Sequence, residues 1–129
     1  MQRARANPRV ASNFNQIPDE DIQLYMNAAD VVVLPYRNVL NSGVLQLAYS
    51  FAKPVVAAAV GSLPAEVDAT TGITFSWDDG DAALLSALQQ ARNLGPEHSR
   101  AAYARAAANH YLEIGRSFRA MVTDVLQDR

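Results

Sequence analysis

Residues 17–36 read IPDEDIQLYMNAADVVVLPY, a stretch with helical periodicity that runs straight into a strand, and the fold follows from that junction. Pro18, Asp19 and Glu20 suit a first helical turn, where proline's missing N–H costs nothing and acids meet the positive end of the helix dipole. Ile22, Tyr25, Met26 and Ala29 recur at i, i+3, i+4 and i+7 and predict a face packed on a sheet. The run VVVL at 31–34 shows no polar alternation, as expected of a strand covered on both sides. Working outward, the same alternation of short β-branched runs and helical stretches predicts further strands at 10–14, 54–58 (PVVAA) and 73–75. The strands at 31–34 and 54–58 are expected at the centre of the sheet.

Asn41 or Ser42 is placed to cap a second helix with Val44, Leu47, Ala48, Phe51 and Ala52 facing inward and Leu45 widening that face. This helix is expected to be the most buried. Asp79 or Asp81 is expected to cap a third, carrying Leu84, Leu85, Leu88 and Ala91 and ending at Gly95 and Pro96. From Glu97 an alanine-rich helical tail follows, with a break near Gly115 and a terminal helix burying Phe118, Met121, Val122 and Val125. The predicted class is α/β, a Rossmann-like three-layer α/β/α arrangement with a parallel sheet of about four strands and a C-terminal helical tail. The core spans 10–95 and the tail 96–129, with no repeat, linker or second domain.

A chain of 129 residues, half of them apolar, suits one domain. Its formal net charge of −2 lacks the basic stripe that nucleic acid or an anionic membrane would require. The absence of cysteine removes disulfides, thiolate metal sites and a cysteine nucleophile. No run approaches the roughly 18 apolar residues of a membrane span, and the basic start is not followed by a signal-peptide stretch. The expectation is a soluble, cytoplasmic chain.

In an open parallel sheet, ligands bind beyond the carboxyl ends of the strands. The loop after Leu34 contains Arg37, Asn38, Asn41, Ser42 and Gly43 and leads into the second helix. Such a loop offers unpaired N–H groups beside one cation, an anion cradle in which Gly43 lets a ligand approach and Arg37 forks onto phosphate oxygens. The competing reading is an ordinary helix cap with a solvated arginine. The loop around Gly61 reads either as a second point of ligand approach or as a plain turn. Asp78, Asp79 and Asp81 suit a helix cap better than a metal site, and no metal is assigned. His98 and His110, on the tail, lack an orienting carboxylate nearby in sequence and read as surface or packing residues. Trp77 reads as a core cover rather than a stacking platform.

Taken in order, the segments IPDEDIQLYMNAADVVVLPY, SGVLQLAYSFAKPVVAAAVGSLPAEV and TGITFSWDDGDAALLSAL resemble the C-terminal, nucleotide-sugar-binding domain of retaining GT-B glycosyltransferases, the group 1 or family 4-like type, over about residues 10–125. The resemblance implies a nucleoside-diphosphate-sugar donor, transfer to an acceptor hydroxyl, and no metal or other cofactor. It also implies that two upstream strands and a whole N-terminal domain carrying the acceptor site are missing. The chain is therefore expected to be a partial domain, to be inactive alone, and either to self-associate through its uncovered edge and apolar face or to be marginally stable. Peripheral membrane association belongs only to the full-length protein.

The family carries two glutamates eight positions apart after the VVVLP strand, and Val39 and Leu47 occupy those positions here. Asn38 and Gln46, one step away and also eight apart, are candidates for similar work. The Asn41-Ser42-Gly43 sequence resembles a subset with Ser-Gly at the helix start, where N–H groups meet the donor phosphates. Ala65 intervenes before Glu66, which places a sugar contact by Glu66 in doubt. The donor-binding set implied is thus Arg37, Asn38, Asn41, Ser42, Gly43, Gln46 and Gly61, with no catalytic residue assigned. Two alternatives stay open, a non-catalytic binding module and a fragment of a sugar-nucleotide epimerase.

Overall fold

The computed structural model of the protein describes residues 8–109 together with 115, 116, 119 and 123. In chain order the elements are α1 (Asp19–Ala28), β1 (Val32–Leu34), α2 (Gly43–Ser50), β2 (Val55–Ala58), the short α3 (Leu63–Glu66), β3 (Gly72–Phe75), a 3-10 turn at Trp77–Asp79, α4 (Asp81–Gln90), a second 3-10 turn at Ala91–Asn93, and α5 (Pro96–Ala108). The three strands are parallel in the order β1-β2-β3, with Val33 opposite Val56 and Val56 opposite Ile73. The α/β class and the strands near 31–34, 54–58 and 73–75 are as the sequence predicts.

β2 explains the layering. Its four side chains are all fully buried and, because successive residues in a strand face opposite ways, they serve two cores. Val55 and Ala57 join Leu34, Leu45, Ala48, Tyr49, Leu63, Val67 and Ala102 under α2 and α5. Val56 and Ala58 join Phe75, Ala87 and Ala91 under α4. A continuous apolar run is what a strand sandwiched between two helical layers needs.

Several expectations are corrected. Residues 10–14 form no strand, leaving three strands among the described residues. Only Val10 and Phe14 of that stretch are large and apolar, both are exposed, and no described strand offers the segment a ladder. β1 lies at an edge rather than the centre, and its Val33 is 38% exposed. α1 buries no residue; Ile22, Met26 and Ala29 are half-covered and Tyr25 is exposed.

Of the inward face predicted for α2, Leu45 and Ala48 are buried and Leu47, Phe51 and Ala52 half-covered, but Val44 is exposed and Tyr49, outside the prediction, is buried. α2 still contributes the most buried side chains of any described helix. It closes with the N–H of Ala52 bonded to the Tyr49 carbonyl and that of Lys53 to the Ala48 carbonyl, the Schellman pairing, with Ala52 itself left-handed at φ 55°. Pro54 then blocks any continuation.

α4 turns Ala87 inward with Ala83 and Leu84 half-covered, while Leu85 and Leu88 are exposed. Neither Asp79 nor Asp81 caps it: the N-cap is Gly80, whose φ of 74° no side-chain-bearing residue adopts comfortably. Asp78 and Asp79 instead lie in the 3-10 turn, where Ser76 Oγ accepts the Asp78 N–H at 3.1 Å. α5 starts at Pro96, and His98 Nδ1 accepts the Gly95 N–H at 3.0 Å. His98 is thus a capping group. Gly115, the expected break, is itself helical. His110, Phe118, Met121, Val122 and Val125 lie outside the described residues.

Candidate functional site

The loops that follow the three parallel strands meet at one end of the sheet. The loop after β1 (35–42) is held at three points. At its entrance the Trp77 indole N–H, from just beyond β3, donates to the Tyr36 carbonyl at 2.7 Å. At its tip the Ser62 N–H, from the loop after β2, donates to the Leu40 carbonyl at 3.0 Å. At its exit Ser42 Oγ accepts the Leu45 N–H at 3.2 Å and its own O–H reaches the Tyr36 hydroxyl at 3.4 Å. This contact between loops at the carboxyl edge is where an open α/β sheet places its ligands.

Of the two caps the residue types allow, Asn41 and Ser42, the fold uses Ser42. It is extended (φ −133°, ψ 107°) and only 6% exposed, so its hydroxyl is fixed rather than solvated. Gly43 follows, with no atom within 4 Å of where a Cβ would stand. Among the described residues neither the Gly43 nor the Val44 N–H finds a protein acceptor. Two amide hydrogens at the positive end of α2, on two exposed residues, are thus left without a protein acceptor among the described residues, an arrangement that favours an anion.

Arg37 is 74% exposed at its side chain, with its guanidinium 4.1 Å above the Trp77 ring and 3.8 Å from the Asp81 carboxylate. At such exposure a cation over an indole is worth about 0.5–1 kcal/mol and the ion pair less, so both confine the arginine only weakly. Asn38 and Asn41 are exposed on the same loop. Gln46 lies one turn into α2 and donates from Nε2 to Glu66 Oε2 at 2.8 Å, which ties it to the end of α3. Val39 and Leu47 are half-buried apolar residues. Gly61 is packed rather than open: at φ +57° its missing Cβ would stand 2.0 Å from the Val39 carbonyl oxygen and 2.8 Å from that of Leu40. Its role visible here is to let the second loop lie against the first.

Behind the site a polar network ties α2, α3 and α5 together. The buried Tyr49 hydroxyl donates to Thr71 Oγ1 at 2.9 Å, with the Glu66 carbonyl 3.2 Å away. Burial pushes the Tyr49 phenol up from its ordinary value. Arg105 of α5 donates to the same Glu66 carbonyl at 3.3 Å and pairs with the Asp68 carboxylate. Asp68 also accepts from the Thr70 hydroxyl at 2.5 Å and the Thr70 N–H at 2.9 Å. These hydrogen bonds, with the Arg105 charge behind them, hold its carboxyl down at about 2. Sequence reasoning misses Tyr36, Tyr49 and Trp77 as organising residues, since their partners lie far along the chain or across a turn. An aromatic two residues after Leu34 and another two residues after β3 are the available signals.

The family model described as glycosyl transferases group 1 matches residues 2–93. The GDP-mannose:glycolipid 4-beta-D-mannosyltransferase of Xanthomonas campestris pv. campestris is 35% identical over 82 residues, covering 62% of this chain and 24% of that enzyme. The chain thus spans about a quarter of the length of this curated relative.

Proposed function

Because the chain belongs to the group 1 glycosyl transferases, we propose that it forms the donor side of a sugar-transfer cleft, binding a nucleoside-diphosphate sugar against the opening of α2. The observation that carries this reading is the pair of unpartnered amides at Gly43 and Val44, next to the fixed Ser42 and reached by a loop that bears Arg37. In the transfer, the bond between the sugar's anomeric carbon and the diphosphate oxygen breaks and its electron pair leaves with the nucleotide. The acceptor hydroxyl oxygen forms the new bond and gives up its proton. Amide hydrogens and a guanidinium aimed at the diphosphate stabilise the negative charge as it develops. In mutational studies, one donor so placed contributes about 2.7–4 kcal/mol.

The relative's name suggests a GDP-linked hexose as the donor class, and GDP is the natural probe. Acceptor binding and the proton-accepting group fall to the remainder of a full-length enzyme, so the chain alone binds without turnover. Among the described residues no helix is long and apolar enough to cross a membrane; a cytoplasmic location, with membrane association only through the full-length protein, fits this reading. Titration with GDP, following backbone amide shifts, tests it. Shifts concentrated at 36–46 support the reading, and none there removes it.

A second reading, a binding module that has kept the fold without the chemistry, is favoured by one specific feature. Val39 and Leu47 present no carboxylate on the loop and α2, and the Gln46 amide is already engaged by Glu66. On this reading the chain binds no nucleotide diphosphate, and the same titration separates the two. The β1 edge, unpaired among the described residues, further supports self-association of the chain.

A further inference from the structure

We infer that Trp77 is the positioning residue of the loop at 35–42, and that it sets where the Arg37 guanidinium stands relative to the opening of α2. The functional consequence rests on the donor reading above; the positioning itself does not. Trp77 is the chain's single tryptophan, and three contacts fix it. Its indole N–H reaches the Tyr36 carbonyl at 2.7 Å, binding main chain 41 residues away at the first peptide group beyond Pro35. The Arg37 guanidinium lies 4.1 Å above its ring. Phe75, the last residue of β3, packs against it in a T-shaped pair, ring centroids 5.0 Å apart and planes at 82°.

A side chain that merely covered the core would need only its area. Here the N–H is used on one neighbour and the ring face on the next, and the two neighbours are consecutive residues of one loop. That pairing acts on the loop at two successive points: the hydrogen bond holds the peptide at Tyr36, and the stacked cation biases, without locking, the direction taken by Arg37. Asp81 lies 3.8 Å from the same guanidinium. The ring face beneath Arg37 is closed to a nucleobase in this arrangement.

Substituting Trp77→Phe separates the roles, because phenylalanine keeps the apolar packing, loses the N–H and weakens the cation–π contact. In nucleotide-free chain, amide shifts at 36–42 are expected to move while those of β2 stay in place. GDP affinity is expected to fall roughly three- to tenfold, from the loss of one hydrogen bond and the weakening of one stacked cation. Arg37→Ala supplies a readout that a purely structural residue would not move: with the cation gone, the indole emission of the free chain is expected to shift and its response to GDP to disappear. Unchanged 36–42 shifts in Trp77→Phe, or indole emission indifferent to Arg37→Ala, would overturn the inference. Should the wild-type chain itself fail to respond to GDP, the donor reading falls, and the nucleotide-free comparison still decides the claim about Trp77.

Discussion

At Gly61 a single hydrogen atom decides whether two loops can touch. Its φ of +57° and the 2.0 Å separation of a would-be Cβ from the Val39 carbonyl oxygen leave no room for a side chain, and the obstacle is backbone rather than a movable tip. Gly61→Ala is expected to cost about 3 kcal/mol, combining the left-handed strain of about 1–2 kcal/mol with displacement of the loop. A thermal melt of the variant checks this, and an unchanged midpoint would mean the loops do not pack as described. Asp68 supplies a pH signature. Its carboxyl is depressed to about 2 in the fold against an ordinary 3.8, so its contribution is present above about pH 4 and is lost as pH falls through 2. Because its side chain is half-exposed, the contribution amounts to less than about 1 kcal/mol. Asp68→Asn should flatten the loss of stability between pH 4 and 2, followed by urea unfolding at each pH. At this scale the Ser42 cap was legible, because cap and target are three residues apart and chemistry alone selects the type. The Trp77 bond to Tyr36 was not, because no local pattern marks a partner 41 residues away.

Among the elements, α2 shows where periodicity runs out. The stretch from Gly43 to Phe51 is apolar on more than one side, so the predicted stripe through Val44, Leu47, Ala48 and Phe51 competes with one through Leu45, Ala48 and Tyr49. The second is inward, and the Tyr49 hydroxyl finds Thr71 there, a partner that only tertiary structure supplies. Leu45→Ala is expected to cost about 2–5 kcal/mol, and Val44→Ser well under about 1 kcal/mol. Chemical denaturation of both variants checks the order, and the reverse order would restore the face expected from sequence. The strands were legible because β2 is apolar without interruption, the mark of a strand covered on both sides. The same signal misplaced β1, whose equally apolar run lies at an edge of the described sheet.

For the molecule as a whole, the exposed edge and the loop end have different consequences. Beside β1, a groove of about 510 Å³ is lined by Val31, Val33, Leu88 and Leu94 with Asp30 and Arg92 at its margins, and Leu85 nearby is 58% exposed. Open strand edges with apolar neighbours pair with other chains. Sedimentation of the chain is expected to depend on concentration, and Val33→Lys is expected to shift it toward monomer; a uniform monomer at every concentration would contradict this. At the opposite level of certainty in the sequence, the meeting of three loops was anticipated only as a general property of open α/β sheets, since which loop touches which depends on Gly61 and Trp77 rather than on any motif. The central claim, that a diphosphate lies against the start of α2, is tested most directly by titrating the nitrogen-15-labelled chain with GDP. Saturable shifts centred on Gly43 and Val44, reaching Arg37 and sparing the α4 side of β3, are the result expected. Amides of α2 that stay still at saturating nucleotide would contradict it.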